Sequence, residues 1–435
     1  MPSPIKIGLL GLGTVGQGVV KVLAANRMEI ARRAGRDIIA TKACVRDLDK
    51  ARDVNIPLTA NPMDVIDDPE IDIVVEVAGG IEPARSWILR AIDHGKQVVT
   101  ANKALLAHHG NDIFQKAHEK GVMVAFEAAV AGGIPIIKTL REGLSANHIE
   151  WLAGIVNGTC NFILTEMYNK GESFGKALQQ AQQHGFAEAD PTFDVEGIDA
   201  AHKLSIMAAI AFGVPIVFDS VYIEGITRIT KEDIDYAKTL GYRIKLLAIT
   251  KRLPSGLELR VHPTFIPEDN LLAHVNGVMN AILVKGDAVG QILSYGAGAG
   301  ALPTASAVVA DLVDVTRMAT ADPNNRVPHL AFQPDCVVDL PLLSPEAIEN
   351  ASYLRLSAED RPGVLAAIAS IFAKEHISIE ALVQKEPLPD SPWATIVMIT
   401  HKVKEGALLR ALLEIEDLPF VHGPVQRIRI EKFDT

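Results

Sequence analysis

The chain has 435 residues, 48% apolar and 22% charged. That excludes a disordered polymer and exceeds a single core, at a length suited to about three domains. Lys and Arg total 42 against 53 Asp and Glu, a net charge of −11, and the three cysteines (Cys44, Cys160, Cys336) are far apart. The charge argues against a nucleic-acid surface, and the sparse, odd cysteine count against a disulfide frame or a zinc site, in favour of a reducing compartment.

Residues 5–10 read as a short buried strand with neither a basic region nor an apolar signal core before it, so cytoplasm is the expectation. Gly11, Leu12, Gly13, Thr14, Val15 and Gly16 follow, and a helical pattern then carries Val19, Val20 and Leu23. In this setting the first glycine permits a tight turn, the second lets the backbone approach a pyrophosphate, and the third lets helix and strand pack closely. The arrangement predicts dinucleotide binding rather than a plain glycine-rich turn.

Strands are predicted at 38–45, 71–77, 97–100 and 122–126, with helices between them, notably 83–94 and 104–120. That alternation predicts a Rossmann-like, doubly wound parallel sheet, over residues 1–135. Ligand contacts are then expected at the carboxyl ends of strands. Arg46-Asp47 lies at one such end, Ala78 and Gly79 at another, and Thr100 to Lys103 at a third. An acid there suits a ribose hydroxyl and an arginine a 2′-phosphate; with Arg46 first, the pattern leans to NADP, with NAD tolerated. Lys103 is placed where nicotinamide and substrate meet, or else is a solvated lysine at a helix start.

Residues 127–135 are small and glycine-rich, a sharply turned backbone. Carbonyls plus the one carboxylate of Glu127 suit a hard cation, but the residues alone favour a linker. Beyond 135 the rhythm changes. A strand at 149–156 precedes the polar turn Asn157, Gly158, Thr159, Cys160, Asn161; a helix at 175–184 follows, then strands at 243–250, 257–265 and 281–285. Residues 136–320 therefore read as an α+β substrate and dimerisation domain, whose strands between 241 and 285 are candidates to pair across a two-fold axis.

Residues 185–203 are the most chemically dense part of that domain. They hold Glu188, Asp190, Asp194, Glu196 and Asp199, and end on Lys203. Asp199 and Lys203 are four apart and share one helix face, where a carboxylate can fix a lysine as a proton donor. The plainer alternative is an Asp N-cap with a surface ion pair. His184 and His202 flank the stretch and read as structural. The apolar run 204–218 is too short to span a membrane and contains Gly213 and Pro215. The glycines of 296–300, ending at Gly300, precede a helix at 304–317 that either returns to the nucleotide domain, bringing them near the cofactor, or follows a flexible hinge.

Residues 321–349 are rich in Pro, Asn and Asp and read as a linker; 350–435 follow a βαββαβ pattern, a ferredoxin-like module that reads as dispensable for turnover.

These motifs together resemble the bacterial homoserine dehydrogenases that end in an ACT domain. The resemblance spans the chain and rests on Gly11–Gly16, Thr100-Ala101-Asn102-Lys103, residues 127–135, the Asn157–Asn161 turn, Glu188 through Lys203, and Asp360-Arg361-Pro362-Gly363-Val364-Leu365. The family interconverts L-aspartate 4-semialdehyde and L-homoserine with NAD(P)H, on the route to threonine and methionine. The resemblance implies that Lys203 donates a proton to the carbonyl oxygen with Asp199 beside it, and that Lys103 lies between cofactor and substrate. It assigns Glu188 to the substrate amine and Asp194 to the same site, and leaves the substrate carboxylate to the Asn157, Gly158, Thr159 turn or a lysine. It also implies a monovalent cation, usually sodium, on Glu127, Val130, Gly132 and Ile134, against the plain linker. A homodimer or homotetramer and an amino-acid effector such as threonine at the ACT module complete the implied picture. The rival reading is an amino-acid-sensing protein that binds a dinucleotide without turnover.

Overall fold

Six strands make a wholly parallel sheet: β1 (Ile5–Leu10), β2 (Ile38–Cys44), β3 (Leu58–Thr59), β4 (Ile73–Glu76), β5 (Gln97–Thr100) and β6 (Val124–Ala125), in the order β3-β2-β1-β4-β5-β6. The computed structural model describes residues 3–384 and 393–433. The central strands are nearly continuous apolar runs because helices cover both faces; Ile7, Leu9, Ile73, Val74 and Val75 are all buried. Strand order reverses between β1 and β4, so a crevice opens there at the carboxyl ends. The two-residue strand β3 carries no pattern that the sequence could signal.

The helix Ala301–Met318 returns to this sheet and lies against the helix Thr14–Ala25. A Cβ on Gly18 would come within 2.7 Å of the Ala301 carbonyl oxygen and 3.1 Å of Ala305 Cβ. The glycines before it are not a free hinge. Gly133 N donates to Ala297 O at 3.0 Å, and a Cβ on Gly132 would sit 2.5 Å from Gly298 O.

The second sheet is mixed. Its strands are β7 (Ile149–Ile155), β8 (Tyr222–Ile223), β9 (Tyr242–Leu253), β10 (Gly256–Pro267), β11 (Met279–Gly286), β12 (Gly290–Ala297), β13 (Glu349–Glu359), β14 (Ile379–Gln384), β15 (Trp393–Thr400), β16 (Val403–Lys404) and β17 (Val421–Ile430). The main order is β12-β11-β7-β9-β10-β17-β13-β15-β14. Here the expectation that strands between 241 and 285 pair across a two-fold axis is corrected. β9, β10 and β11 each have a neighbour on both sides, and the two ends of the strand order are β12, which the glycine-rich sequence hid, and β14.

The C-terminal module has the expected βαββαβ pattern, with β17-β13-β15-β14 as its antiparallel sheet. It is not a separate body. β17 pairs in parallel with β10 through Thr264↔Arg429 and Phe265↔Ile430, and Phe265 stacks on Tyr353 at 4.6 Å. The segment 321–349 is irregular but pinned: Val338 N donates to Gly213 O at 2.9 Å and Leu343 N to Leu257 O at 3.0 Å. Among the described residues no helix is long and apolar enough to cross a membrane.

Candidate active site

The glycine turn follows its predicted logic position by position. Gly11 has φ +103°, and a Cβ there would lie 2.9 Å from Ala78 Cα. A Cβ on Gly16 would meet Gly11 O at 2.5 Å, whereas one on Gly13 would meet nothing within 4 Å. The second glycine thus faces open space, as an approaching pyrophosphate requires. Gly13 is also the cap of the helix Thr14–Ala25 and offers no side-chain acceptor, so the first-turn N–H groups stay available to an anion. Leu12 is buried beneath the turn, while Thr14 is exposed and Val15 half-buried.

At the β4 and β5 ends a residue overlooked in the sequence does the organising. Glu76 is fully buried. Its Oε1 accepts Ala78 N at 2.9 Å and Gly79 N at 3.1 Å, and its Oε2 accepts Thr100 Oγ1 at 2.7 Å. The only signal was a lone acid in an apolar run. Asn102 caps the next helix through Leu105 N at 3.1 Å, which starts Lys103–Glu119 with Lys103 at its first position. After β2, Arg46 is exposed. Asp47 Oδ1 is engaged by Asp49 N at 2.9 Å and Lys50 N at 3.1 Å. Gly300, with φ +117°, is exposed at the start of the returning helix.

The polar cluster forms where four elements meet. The helix Ile198–Phe212 is buried along nearly its whole length, and its first turn carries Asp199 and Lys203 on one face, as the spacing predicted. Lys203 Nζ donates to Asp199 Oδ2 at 2.7 Å and to the Val156 carbonyl at 2.6 Å. Lys103 Nζ lies 3.2 Å from Asp199 Oδ1. Asp199 is 5% exposed and Lys203 8%, which is no surface ion pair. Burial works to raise the Asp199 carboxyl, but the ammonium groups of Lys203 and Lys103 outweigh it and hold it well below the usual carboxylate range.

Asn157 ties this pair to a second acid. Its Nδ2 donates to Asp199 Oδ2 at 2.9 Å and to Asp194 Oδ1 at 2.8 Å, while its Oδ1 accepts Cys160 N at 2.8 Å and caps the helix Gly158–Lys170. Thr159 Oγ1 bonds Phe186 O at 2.7 Å and Asp194 Oδ2 at 3.3 Å. Both side chains are therefore committed within the protein. What this turn still offers a substrate is the main-chain N–H of Gly158 and Thr159, which have no intrahelical acceptor. Burial pushes the Asp194 carboxyl up. The Glu188 side chain is exposed and has no partner among the described residues.

His202 lies in an aromatic nest, 4.3 Å from Phe218, 5.3 Å from His108 and 5.4 Å from Phe193 between ring centroids. Neither ring nitrogen has a hydrogen-bond partner among the described residues. Burial, with His108 adding, brings its pKa down to about 4. It is a packed neutral ring, as read from the sequence, and His184 likewise sits against Phe186 and Phe162.

Glu127, Val130, Gly132 and Ile134 share one buried turn. Both Glu127 oxygens accept main-chain N–H groups, from Ile137 at 2.8 Å and Lys138 at 2.9 Å, and burial raises its pKa. The Ile134 carbonyl accepts Ile136 N at 2.8 Å. Those of Val130 and Gly132 accept none of the described bonds, and positive φ at Ala131 (55°) and Gly132 (54°) bends the backbone between them. Buried, unclaimed carbonyls beside a buried carboxylate fit a hard monovalent cation.

Similarity to known proteins follows the same divisions. A family described as "Homoserine dehydrogenase, NAD binding domain" matches residues 11–127, "Homoserine dehydrogenase" matches 135–313, and "ACT domain" matches 352–420. A homoserine dehydrogenase of Pseudomonas aeruginosa is 59% identical, with 99% of this chain and 100% of the relative covered. A crystal structure of the Thiobacillus denitrificans homoserine dehydrogenase superposes with a TM-score of 0.95 at 62% identity, over 99% of this chain and 98% of the other. A hyperthermophilic archaeal homoserine dehydrogenase in complex with NADPH matches at a TM-score of 0.61 and 26% identity, over 72% of this chain and 98% of the other. The chain belongs to the homoserine dehydrogenase family of NAD(P)-dependent oxidoreductases, in the form that carries an ACT domain.

Proposed function

We propose that Lys203 delivers the proton when this oxidoreductase reduces L-aspartate 4-semialdehyde to L-homoserine. When bound, the dinucleotide supplies the hydride that reduces the aldehyde carbon. The supporting observation is a count of donors. Lys203 Nζ has three N–H groups, and among the described residues two are taken, by Val156 O and Asp199 Oδ2. The third is free for the carbonyl oxygen. Lys103, a third exposed and bound to the other Asp199 oxygen, lends its charge to the same developing alkoxide. Asp199 fixes both ammonium groups and accepts no substrate atom itself. The substrate amine goes to Glu188 with Asp194 nearby, and its carboxylate to the N–H groups of Gly158 and Thr159.

NADP is the preferred cofactor on this reading, with Arg46 on the 2′-phosphate and NAD accepted more weakly; the NADPH-bound archaeal relative is compatible with it. Gly11 to Gly16 hold the pyrophosphate, and Ala78, Gly79, Lys103 and Gly300 line the nicotinamide side, with Thr100 buried behind them on Glu76. A sodium ion on Glu127, Val130, Gly132 and Ile134 would brace the turn between the two main domains. The chain works in the cytoplasm as a homodimer or homotetramer, and threonine at the ACT module feeds back on turnover.

The test is NADPH oxidation with L-aspartate 4-semialdehyde against butanal, which lacks both amine and carboxylate. A site built to bond those groups prefers the semialdehyde by about 10³-fold or more in kcat/KM. A sensor would bind NADPH and consume none with either aldehyde.

A further inference from the structure

The last strand of the C-terminal module grips the segment after β8 at a partly buried carboxylate, Glu224, with Gln426 Nε2 also donating to Arg228 O at 3.4 Å. Arg429 on β17 is 1% exposed. Its Nη1 donates to Glu224 Oε2 at 2.7 Å and its Nη2 to Glu405 Oε2 at 2.9 Å, with Nε on the other Glu405 oxygen. Arg427 Nη2 reaches Glu224 Oε1 at 3.2 Å, an oxygen that the Tyr222 hydroxyl also bonds. These arginines outweigh burial and keep the Glu224 carboxyl below its ordinary range.

Glu224 sits on a segment that is pressed against the acidic turn of the active site. Its N donates to Val261 O at 2.8 Å, continuing the pairing of β8 with β10. The next residue, Gly225, has no room for a side chain: a Cβ would lie 2.5 Å from Val195 O and 2.6 Å from Glu196 Cα. Ile226 N then donates to Val195 O at 2.8 Å, and Thr227 Oγ1 to Glu196 Oε1 at 3.0 Å. Val195 and Glu196 immediately follow Asp194, which Asn157 links to Asp199 and so to both lysines. Every step is a hydrogen bond or a backbone contact too tight for an added methyl group.

We infer that Glu224 is a positioning residue for the substrate site, clamped by Arg427 and Arg429 of β17 so that the turn bearing Asp194 is held in place by the C-terminal module. The inference rests on reading Asp194 as part of the substrate site. It assigns the tail a standing role in substrate binding, independent of any effector. Glu224 touches no substrate atom; it acts through Gly225, Ile226 and Val195.

The test is steady-state kinetics of the full chain carrying Glu224→Ala, Glu224→Gln or Asp194→Asn, and the Ala/Asn double variant, with melting temperature and NADPH affinity read on each. Glu224→Ala is expected to raise KM for the semialdehyde about tenfold with NADPH affinity kept, and Glu224→Gln, which keeps the volume but retains an acceptor in place of only one of the two carboxylate oxygens, about threefold. In the double variant the Ala change adds little to the Asn change, because both act on one contact. An unchanged KM in the Gln and Ala variants, or a fall in kcat and melting temperature alone, overturns the inference. If Glu224→Ala is not recovered folded, the Gln variant decides by the same criterion. An unchanged KM in Asp194→Asn sinks the underlying reading of Asp194 instead.

Discussion

Lys103 approaches Asp199 from the nucleotide domain, Nζ to Oδ1 at 3.2 Å, while the opposite carboxylate oxygen holds Lys203 from the substrate domain at 2.7 Å. One acid therefore sets the spacing of two ammonium groups carried by different helices, Lys103–Glu119 and Ile198–Phe212. On the proposed reading, substrate and cofactor meet at this same junction, so the contact that fixes the charges also ties the two helices together.

The proposed preference for NADP rests on the loop after β2. Asp47 is turned back into its own loop, which leaves the exposed Arg46 as the nearer partner for a phosphate. A charge-assisted bond to phosphate contributes about 1.5–3 kcal/mol. Arg46→Ala is expected to lower kcat/KM for NADPH by roughly 10- to 100-fold and leave that for NADH within about twofold. Equal losses with both cofactors would show that Arg46 does not read the 2′-phosphate.

His202 makes stability depend on pH in a defined window. Its folded pKa of about 4 lies below the ordinary 6.5, so between those values the unfolded chain carries a proton that the folded chain does not. The neutral ring's contribution is complete above pH 6.5 and is lost as pH falls toward 4. The loss amounts to about 3 kcal/mol. His202→Phe, which suits the aromatic nest, should remove this portion of the acid sensitivity seen in melting curves. A variant as acid-sensitive as the parent would contradict the assignment.

Deleting the tail after about residue 345 tests the seam between domains. From the sequence, the module looks dispensable for turnover. The structure argues otherwise: removal strips β10 of its parallel partner β17. It also takes Glu431 from Arg260, whose side chain is fully buried. Arg260 keeps Glu258 at 3.0 Å, so the loss is of one of its two carboxylates together with the apolar contacts of β17. The truncated chain should melt on the order of 10 °C lower and show a raised KM for the semialdehyde. Full turnover with an unchanged melting temperature would mean that the two sheets are only loosely joined.

Much of this was legible in the residues, and the reasons differ from place to place. The parallel sheet showed because buried strands such as 5–10 and 71–77 are short apolar runs bounded by glycines and polar turns. Asp199 and Lys203 showed because helical spacing places them together. Lys103 beside them rested on its position at a strand end and on the family resemblance, since nothing local brings residues so distant into contact. Glu76 escaped because two of its three bonds are to main-chain N–H groups and the third is to Thr100 on a neighbouring strand, which no local side-chain pattern records. The Val156 carbonyl was invisible for the same reason. The joining of β17 to β10 depends on two residues of register, and neither strand's composition announces a partner. β12 escaped because a glycine-rich strand resembles a loop.

Removing the Lys203 ammonium while leaving the rest of the site intact tests the account most directly. Lys203→Ala should lower kcat by on the order of 10²–10⁴-fold, the worth of general acid catalysis, with NADPH affinity unchanged within about twofold. A fall in kcat of less than about tenfold, in a protein that still binds NADPH normally, would contradict it.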